Sequence, residues 1–151
     1  MKFFLLKSGI EFSQSSLKSK LKDLLIESVH IYEDLDFNFH CYPKKEPLLM
    51  NIDTCQEFIL IMKEAILNAV KHGEAGSIEV NLTYHPDELS LMITDDGIGF
   101  DIKEKPSGIG LKNIRERINM LGGVCDIDSR PNYGTTLNFQ IPNKEHYEVT
   151  D

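Results

Sequence analysis

Residues 77–100 read SIEVNLTYHPDELSLMITDDGIGF. Ile78, Val80, Leu82 and Tyr84 alternate with Glu79, Asn81 and Thr83, and the alternation resumes at Leu89, Leu91 and Ile93 after the turn-forming His85-Pro86-Asp87-Glu88. A period of two on both sides of a Pro-Asp turn predicts a β-hairpin with one buried face. Asp95 shares the parity of Leu89, Leu91 and Ile93, so its carboxylate points toward that face. A buried carboxylate without a partner is costly, and the edge of a ligand base carrying an N–H donor would suit it. Gly97 and Gly99 then let the backbone turn and approach a ligand with no side chain in between. The same D-x-G-x-G spacing also occurs at ordinary strand-to-turn junctions, so its meaning depends on the rest of the chain.

The remainder of the sequence narrows the choices. A chain of 151 residues with 41% hydrophobic and 26% charged content is that of one soluble globular domain with a sizeable core. A formal net charge of −8 argues against nucleic acid as a partner and requires any bound phosphate to have a local site. The three cysteines, Cys41, Cys55 and Cys125, form no C-x-x-C pair and cannot close a disulfide framework, which points to a reducing cytoplasm. The apolar run after Met1 and Lys2 stops at Lys7, too short to export the chain or span a bilayer.

Working outward from the hairpin, apolar residues at helical spacing predict an amphipathic helix over 15–29, and a short strand is expected over 36–42. Asp53 with Gln56 reads as a capping box opening the main helix, which continues to about residue 70 before Gly73 and Gly76. The polar, glycine-containing segment 96–110 is too long for a simple turn and is expected to be functional. A helix over 111–121 ends at Gly122 and Gly123, and strands over 124–129 and 135–141 close the domain.

Beside the Asp95 segment, three features carry chemistry. On the main helix Glu64, Asn68, Lys71 and His72 fall along one stripe, a set suited to a hydrated divalent cation and phosphate oxygens, with magnesium the best fit; a solvated charged face is the alternative. Gly108, Ile109 and Gly110 precede a helix start whose free N–H groups suit phosphate, and the segment before them could close as a lid. Thr135 shares its parity with Leu137, Phe139 and Ile141, so a hydroxyl faces inward beside Asp95. The five histidines form no metal pair, and neither a nucleophile elbow nor a P-loop is present.

Taken in order, EAILNAVKH at 64–72, DDGIGF at 95–100, GIGL at 108–111 and GTTL at 134–137 resemble the N, G1 and G2 boxes and closing Gly-Thr motif of the Bergerat ATP-binding fold of gyrase, Hsp90, MutL and histidine kinases. The Asn-Ala-x-Lys-His ending of the first, GIGLKNIRER at 108–117 and Leu121-Gly122-Gly123 resemble the nitrate-sensor and desaturase-sensor subfamily of bacterial sensor histidine kinases. The resemblance implies an α+β fold, a two-layer α/β sandwich whose mixed, mainly antiparallel sheet is covered on one face by about three helices. It implies that ATP and Mg²⁺ bind, with Asp95 accepting from the adenine amino group and Asn68 ligating the metal. Gly97, Gly99, Gly108, Ile109, Gly110 and Leu111 would shape the nucleotide's approach, Lys71 and His72 would face the phosphates, Thr135 would support the adenine, and Glu64 would be the catalytic acid of the N box. The implied domains are 17–142 for the ATP-binding unit, 143–151 for a loose tail, and 1–16 for the remnant of a dimerisation-hairpin helix, with Met1 an internal start.

The N-terminus departs from the family pattern. None of the histidines stands in the Arg-x-x-His-Asp context of the phosphoacceptor; His30, followed by Ile31-Tyr32-Glu33, does not match. The implied partners are therefore a histidine-bearing dimerisation domain of the same kinase and a response regulator, with a homodimeric full-length protein, a monomeric isolated domain, and a cytoplasmic location that leaves open attachment to the inner membrane. An ATPase clamp with Glu64 activating water, and an anti-sigma-type serine kinase or binding module, are the competing readings.

Overall fold

The computed structural model describes residues 4–6, 9–12, 23, 34–42, 48–50, 52–85, 87–104 and 109–143. The elements are β1 (Phe4–Leu6), β2 (Gly9–Phe12), β3 (Asp36–Tyr42), β4 (Leu48–Met50), α1 (Ile52–Leu67), β5 (Ser77–Tyr84), β6 (Glu88–Asp95), α2 (Ile109–Met120), β7 (Val124–Ser129) and β8 (Thr135–Pro142). Five strands form the main sheet in the order β3-β5-β6-β8-β7, with β3 parallel to β5 and the other pairs antiparallel. Parallel neighbours need a long crossover, and α1 lies within the one between β3 and β5. This is the mixed sheet with helices that the motifs imply, with two helices among the described residues. The helix expected over 15–29 lies outside them, apart from Asp23, which is helical.

Alternation decides which face is covered. Ile78, Val80, Leu82, Leu89, Leu91, Ile93, Leu137, Phe139 and Ile141 are almost wholly buried and meet Phe58, Ile61, Met62 and Ile66 of α1 and Ile114 and Ile118 of α2. Each such side chain contributes roughly 1.5–3 kcal/mol of transfer free energy on burial, which makes this face the core. The opposite face carries polar or exposed residues such as Glu79, Asn81, Met92, Asn138 and Asp126, as an antiparallel sheet facing water allows.

Three local findings differ from the sequence reading. Phe4–Leu6 and Gly9–Phe12 are strands, joined with β4 in a second sheet of order β1-β2-β4, where the remnant of a hairpin helix is expected. Residues 4–6 and 9–12 mix β-favouring Phe and Ile with Leu in runs too short to show a period, which is why tertiary pairing decides them. The main helix begins at Ile52, so Asp53, expected to open it, is its second residue. It also ends differently: Asn68–His72 form a π-helical turn, closed by Gly73 N–H donating to the Asn68 carbonyl at 2.9 Å. Such widened turns are rare and cluster at functional sites.

Candidate functional site

The register places three polar side chains at one end of the sheet. Asp95 of β6 lies opposite Thr135 of β8, which lies opposite Ser129 of β7. All three have inward parity, and Asp95 and Thr135 line a cavity of about 330 Å³ between the sheet, α1 and the start of α2. That volume is at the lower end for small-molecule sites. Its wall is mostly apolar, from Ala65, Ala69, Ile98, Phe100, Leu111 and Leu137.

The two neighbouring acids have separate tasks. Asp96 Oδ1 accepts from the backbone N–H of Gly76 at 2.9 Å and of Ser77 at 2.8 Å, anchoring the start of β5. Asp95 Oδ1 accepts from Gly97 N–H at 2.8 Å, and the Thr135 backbone N–H also bonds its carboxylate. Burial nevertheless pushes the Asp95 carboxyl above the usual range; these two bonds oppose the rise and the Asp96 charge adds to it. A half-buried carboxylate with unused lone pairs at a cavity wall is an acceptor for a ligand donor.

The glycines act by close approach. A Cβ on Gly97 would overlap the Gly73 carbonyl oxygen, to which Ile98 N–H donates at 2.7 Å. Gly97 is buried and contributes no surface to the cavity, so it seats the loop and leaves contact to its neighbours. Gly99 has φ +61° and lies against the carbonyls of Arg130 and Gly134. Gly110, in the first turn of α2, lets that helix rest on the Asn68 amide, where any Cβ would collide with Oδ1 and Nδ2.

The stripe on α1 is split by the π-helical turn. Asn68 and His72 line the cavity, whereas Lys71 is exposed and contributes nothing to it. Bonds from i to i+5 change the rotation per residue, so offsets that align on an α-helix no longer do. Glu64, one turn before Asn68, is half-buried and also outside the lining. The Asn68 Nδ2 is buried with no partner among the described residues, a costly state that a ligand at this wall would relieve. Gly108 lies outside the described residues. Ile109 is the first residue of α2, and Leu111 lines the cavity.

Sequence reasoning missed Gly73, Phe100, Leu137 and Ser129. The signal for Ser129 was present: it shares parity with Ile127, so a hydroxyl faces inward on β7 as on β8. Buried and 7% exposed, it accepts from Phe100 N–H at 3.0 Å, donates to the Gly134 carbonyl at 3.0 Å, and lies 2.9 Å from Thr135 Oγ1.

Residues 56–145, more than half of the chain, match the family described as histidine kinase-, DNA gyrase B-, and HSP90-like ATPase. Among curated relatives, the sensor histidine kinase DesK of Bacillus subtilis is 37% identical over 134 residues, covering 85% of this chain and 35% of DesK. The signal transduction histidine-protein kinase/phosphatase DegS of the same organism is 38% identical over 86 residues, covering 54% of this chain and 22% of DegS. The chain thus spans about a third or less of the relatives it matches. Among solved structures, the ATP binding domain of PrrB from Mycobacterium tuberculosis superposes with a TM-score of 0.64 at 22% identity, covering 85% of this chain and 95% of that one. The catalytic domain of histidine kinase ThkA gives 0.66 at 20% identity, covering 95% and 98%. At those identities the structural likeness concerns the fold.

Proposed function

The chain belongs to the histidine kinase-, DNA gyrase B-, and HSP90-like ATPase family, and we propose that it is the ATP-binding catalytic domain of a sensor histidine kinase. The observation that carries this is the pairing of two unlike ends in one cavity. Asp95 and Thr135 form a hydrogen-bonding wall for a base, and Asn68, His72 and the start of α2 form a polar end. Adenine lies at the first end, its amino group donating to Asp95, and the triphosphate runs toward the second. On a chain of formal net charge −8, a triphosphate needs local compensation. The N–H groups opening α2 supply part of it, and the His72 imidazole stands at the same end as a hydrogen-bonding group.

The residues fit Mg²⁺ as a cofactor. Among the described residues no cluster of three or more His, Cys, Asp or Glu forms a cage. Magnesium in nucleotide sites is commonly held by one or two side chains plus phosphates and water. Asn68, which lines the cavity, is the side chain that would offer its amide oxygen to the ion. Held there, Mg²⁺ would supply charge neutralisation for the triphosphate.

The reaction transfers the γ-phosphoryl group to an imidazole nitrogen of a histidine on a separate dimerisation domain. The β,γ P–O bond breaks, an N–P bond forms, ADP leaves, and the imidazole releases its N–H proton. On this reading Glu64, one turn from Asn68 and outside the cavity lining, orders the attacking group. The protein's contribution is positioning and charge stabilisation. Onward transfer to a response regulator, a homodimeric full-length protein and a cytoplasmic location complete the reading. No helix among the described residues is long and apolar enough to cross a membrane.

Labelled ATP incubated with this chain and a histidine-hairpin protein tests the reaction. Label is expected on a histidine, with Glu64→Ala slowing transfer about a hundredfold. Free phosphate alone, at a rate sensitive to Glu64→Ala, would identify a clamp-type ATPase, and label on serine a serine kinase.

A further inference from the structure

Resting on the nucleotide reading above, we infer that Ser129 is a positioning residue: it holds the Thr135 hydroxyl as an acceptor toward the cavity and so sets the preference for an amino-bearing purine over an oxo-bearing one. The assignment follows from counting protons. Ser129 Oγ meets three groups, the Phe100 N–H, the Gly134 carbonyl and Thr135 Oγ1. A hydroxyl has one proton to donate and two lone pairs. The Phe100 N–H can only donate, and the buried Gly134 carbonyl can only accept. Ser129 therefore gives its proton to Gly134, and the Thr135 hydroxyl must give its own to Ser129. The reverse arrangement strands the Gly134 carbonyl, which costs more than it returns.

With its proton turned toward Ser129, Thr135 offers the cavity only lone pairs. Asp95, the other polar group of this wall, is also an acceptor when ionised. Two acceptors side by side favour a base edge bearing an amino group and oppose one bearing a carbonyl. Neither residue alone imposes this on Thr135, because a free hydroxyl rotates to suit either partner. The lock is supplied by a side chain outside the cavity lining.

Inosine triphosphate, which carries a carbonyl where ATP carries its amino group, is the probe. Wild type is expected to prefer ATP strongly. In Ser129→Ala the ratio of ATP to inosine triphosphate affinity should fall roughly fivefold to tenfold, because the released hydroxyl can donate to the carbonyl. Thr135→Val, which removes the acceptor, should lower the ratio similarly, and adding Ser129→Ala to it should lower the ratio no further. A loosened loop would instead weaken both nucleotides in parallel. A ratio within twofold of wild type in Ser129→Ala, or in Thr135→Val, overturns the inference while leaving ATP binding intact. Failure of wild type to bind ATP removes the nucleotide reading itself.

Discussion

Asp95→Asn is expected to weaken ATP binding about a hundredfold while leaving the nucleotide-free protein at least as stable as wild type at neutral pH. A carbonyl oxygen has two lone pairs, so the asparagine amide oxygen can accept from both N–H groups that bond the carboxylate, Gly97, now 2.8 Å from Oδ1, and Thr135. Its NH₂ then faces the cavity, and an adenine amino group meets a donor in place of an acceptor. A hydrogen bond to a charged partner is typically worth about 1.5–3 kcal/mol, and the opposed donors add to its loss. Stability moves the other way. Burial first, then the Asp96 charge, raise the Asp95 pKa against the Gly97 and Thr135 bonds. A native pKa above the unfolded one means that the folded chain holds the proton more tightly. The group's stabilising contribution is therefore full below the unfolded value of about 3.9 and is lost as pH rises through the native value. At pH 7 wild type carries a desolvated charge that the Asp95→Asn variant lacks. Calorimetric titration with ATP and melting curves at neutral and acid pH separate the two effects. Unchanged affinity refutes the adenine assignment, and a markedly lower melting temperature at pH 7 would make Asp95 a structural acid.

Gly99→Ala should do the opposite, destabilising the fold before any question of binding. The left-handed conformation at φ +61° costs an L-residue about 1–2 kcal/mol. The added Cβ would overlap the Arg130 carbonyl oxygen and stand 2.8 Å from that of Gly134, and both are backbone atoms with no rotamer to change. The same junction is held by Ile98 N–H to Gly73 O at 2.7 Å and Asn132 N–H to Ile98 O at 2.6 Å, so moving it breaks the tie between the β6 loop, the end of α1 and the β7–β8 turn. A total of about 3 kcal/mol corresponds to a melting temperature lowered by roughly 6–12 °C for a chain of this size. A shift below about 2 °C would show that the junction is soft.

Much of this was legible because it depends on parity. Asp95 and Thr135 follow from the same period of two that buries Leu91 and Leu137, and the strands over 36–42, 77–84 and 124–129 match their observed bounds. The end of the main helix was not legible. The stripe through Glu64, Asn68, Lys71 and His72 assumes 3.6 residues per turn; the π-helical turn at Asn68–His72 keeps Asn68 and His72 at the cavity and leaves Lys71 exposed, while Glu64, on the regular α-helix before it, lies outside the lining. That turn is fixed by distant partners, among them the Gly73 carbonyl receiving Ile98 N–H. The role of Gly97 was likewise hidden, since its need to be glycine comes from Gly73, which lies 24 positions earlier in the sequence. Strands β1 and β2 are three and four residues long, too short for any period to declare itself.

On the proposed reading, one cavity reads adenine at Asp95 and holds metal-bound phosphates at Asn68. A crystal structure of the chain with a non-hydrolysable ATP analogue and Mg²⁺ tests it most directly. The adenine amino nitrogen is expected about 2.9 Å from an Asp95 carboxylate oxygen, and the Asn68 amide oxygen about 2.1 Å from the metal. A base lying outside the cavity, or a metal coordinated without Asn68, would contradict it.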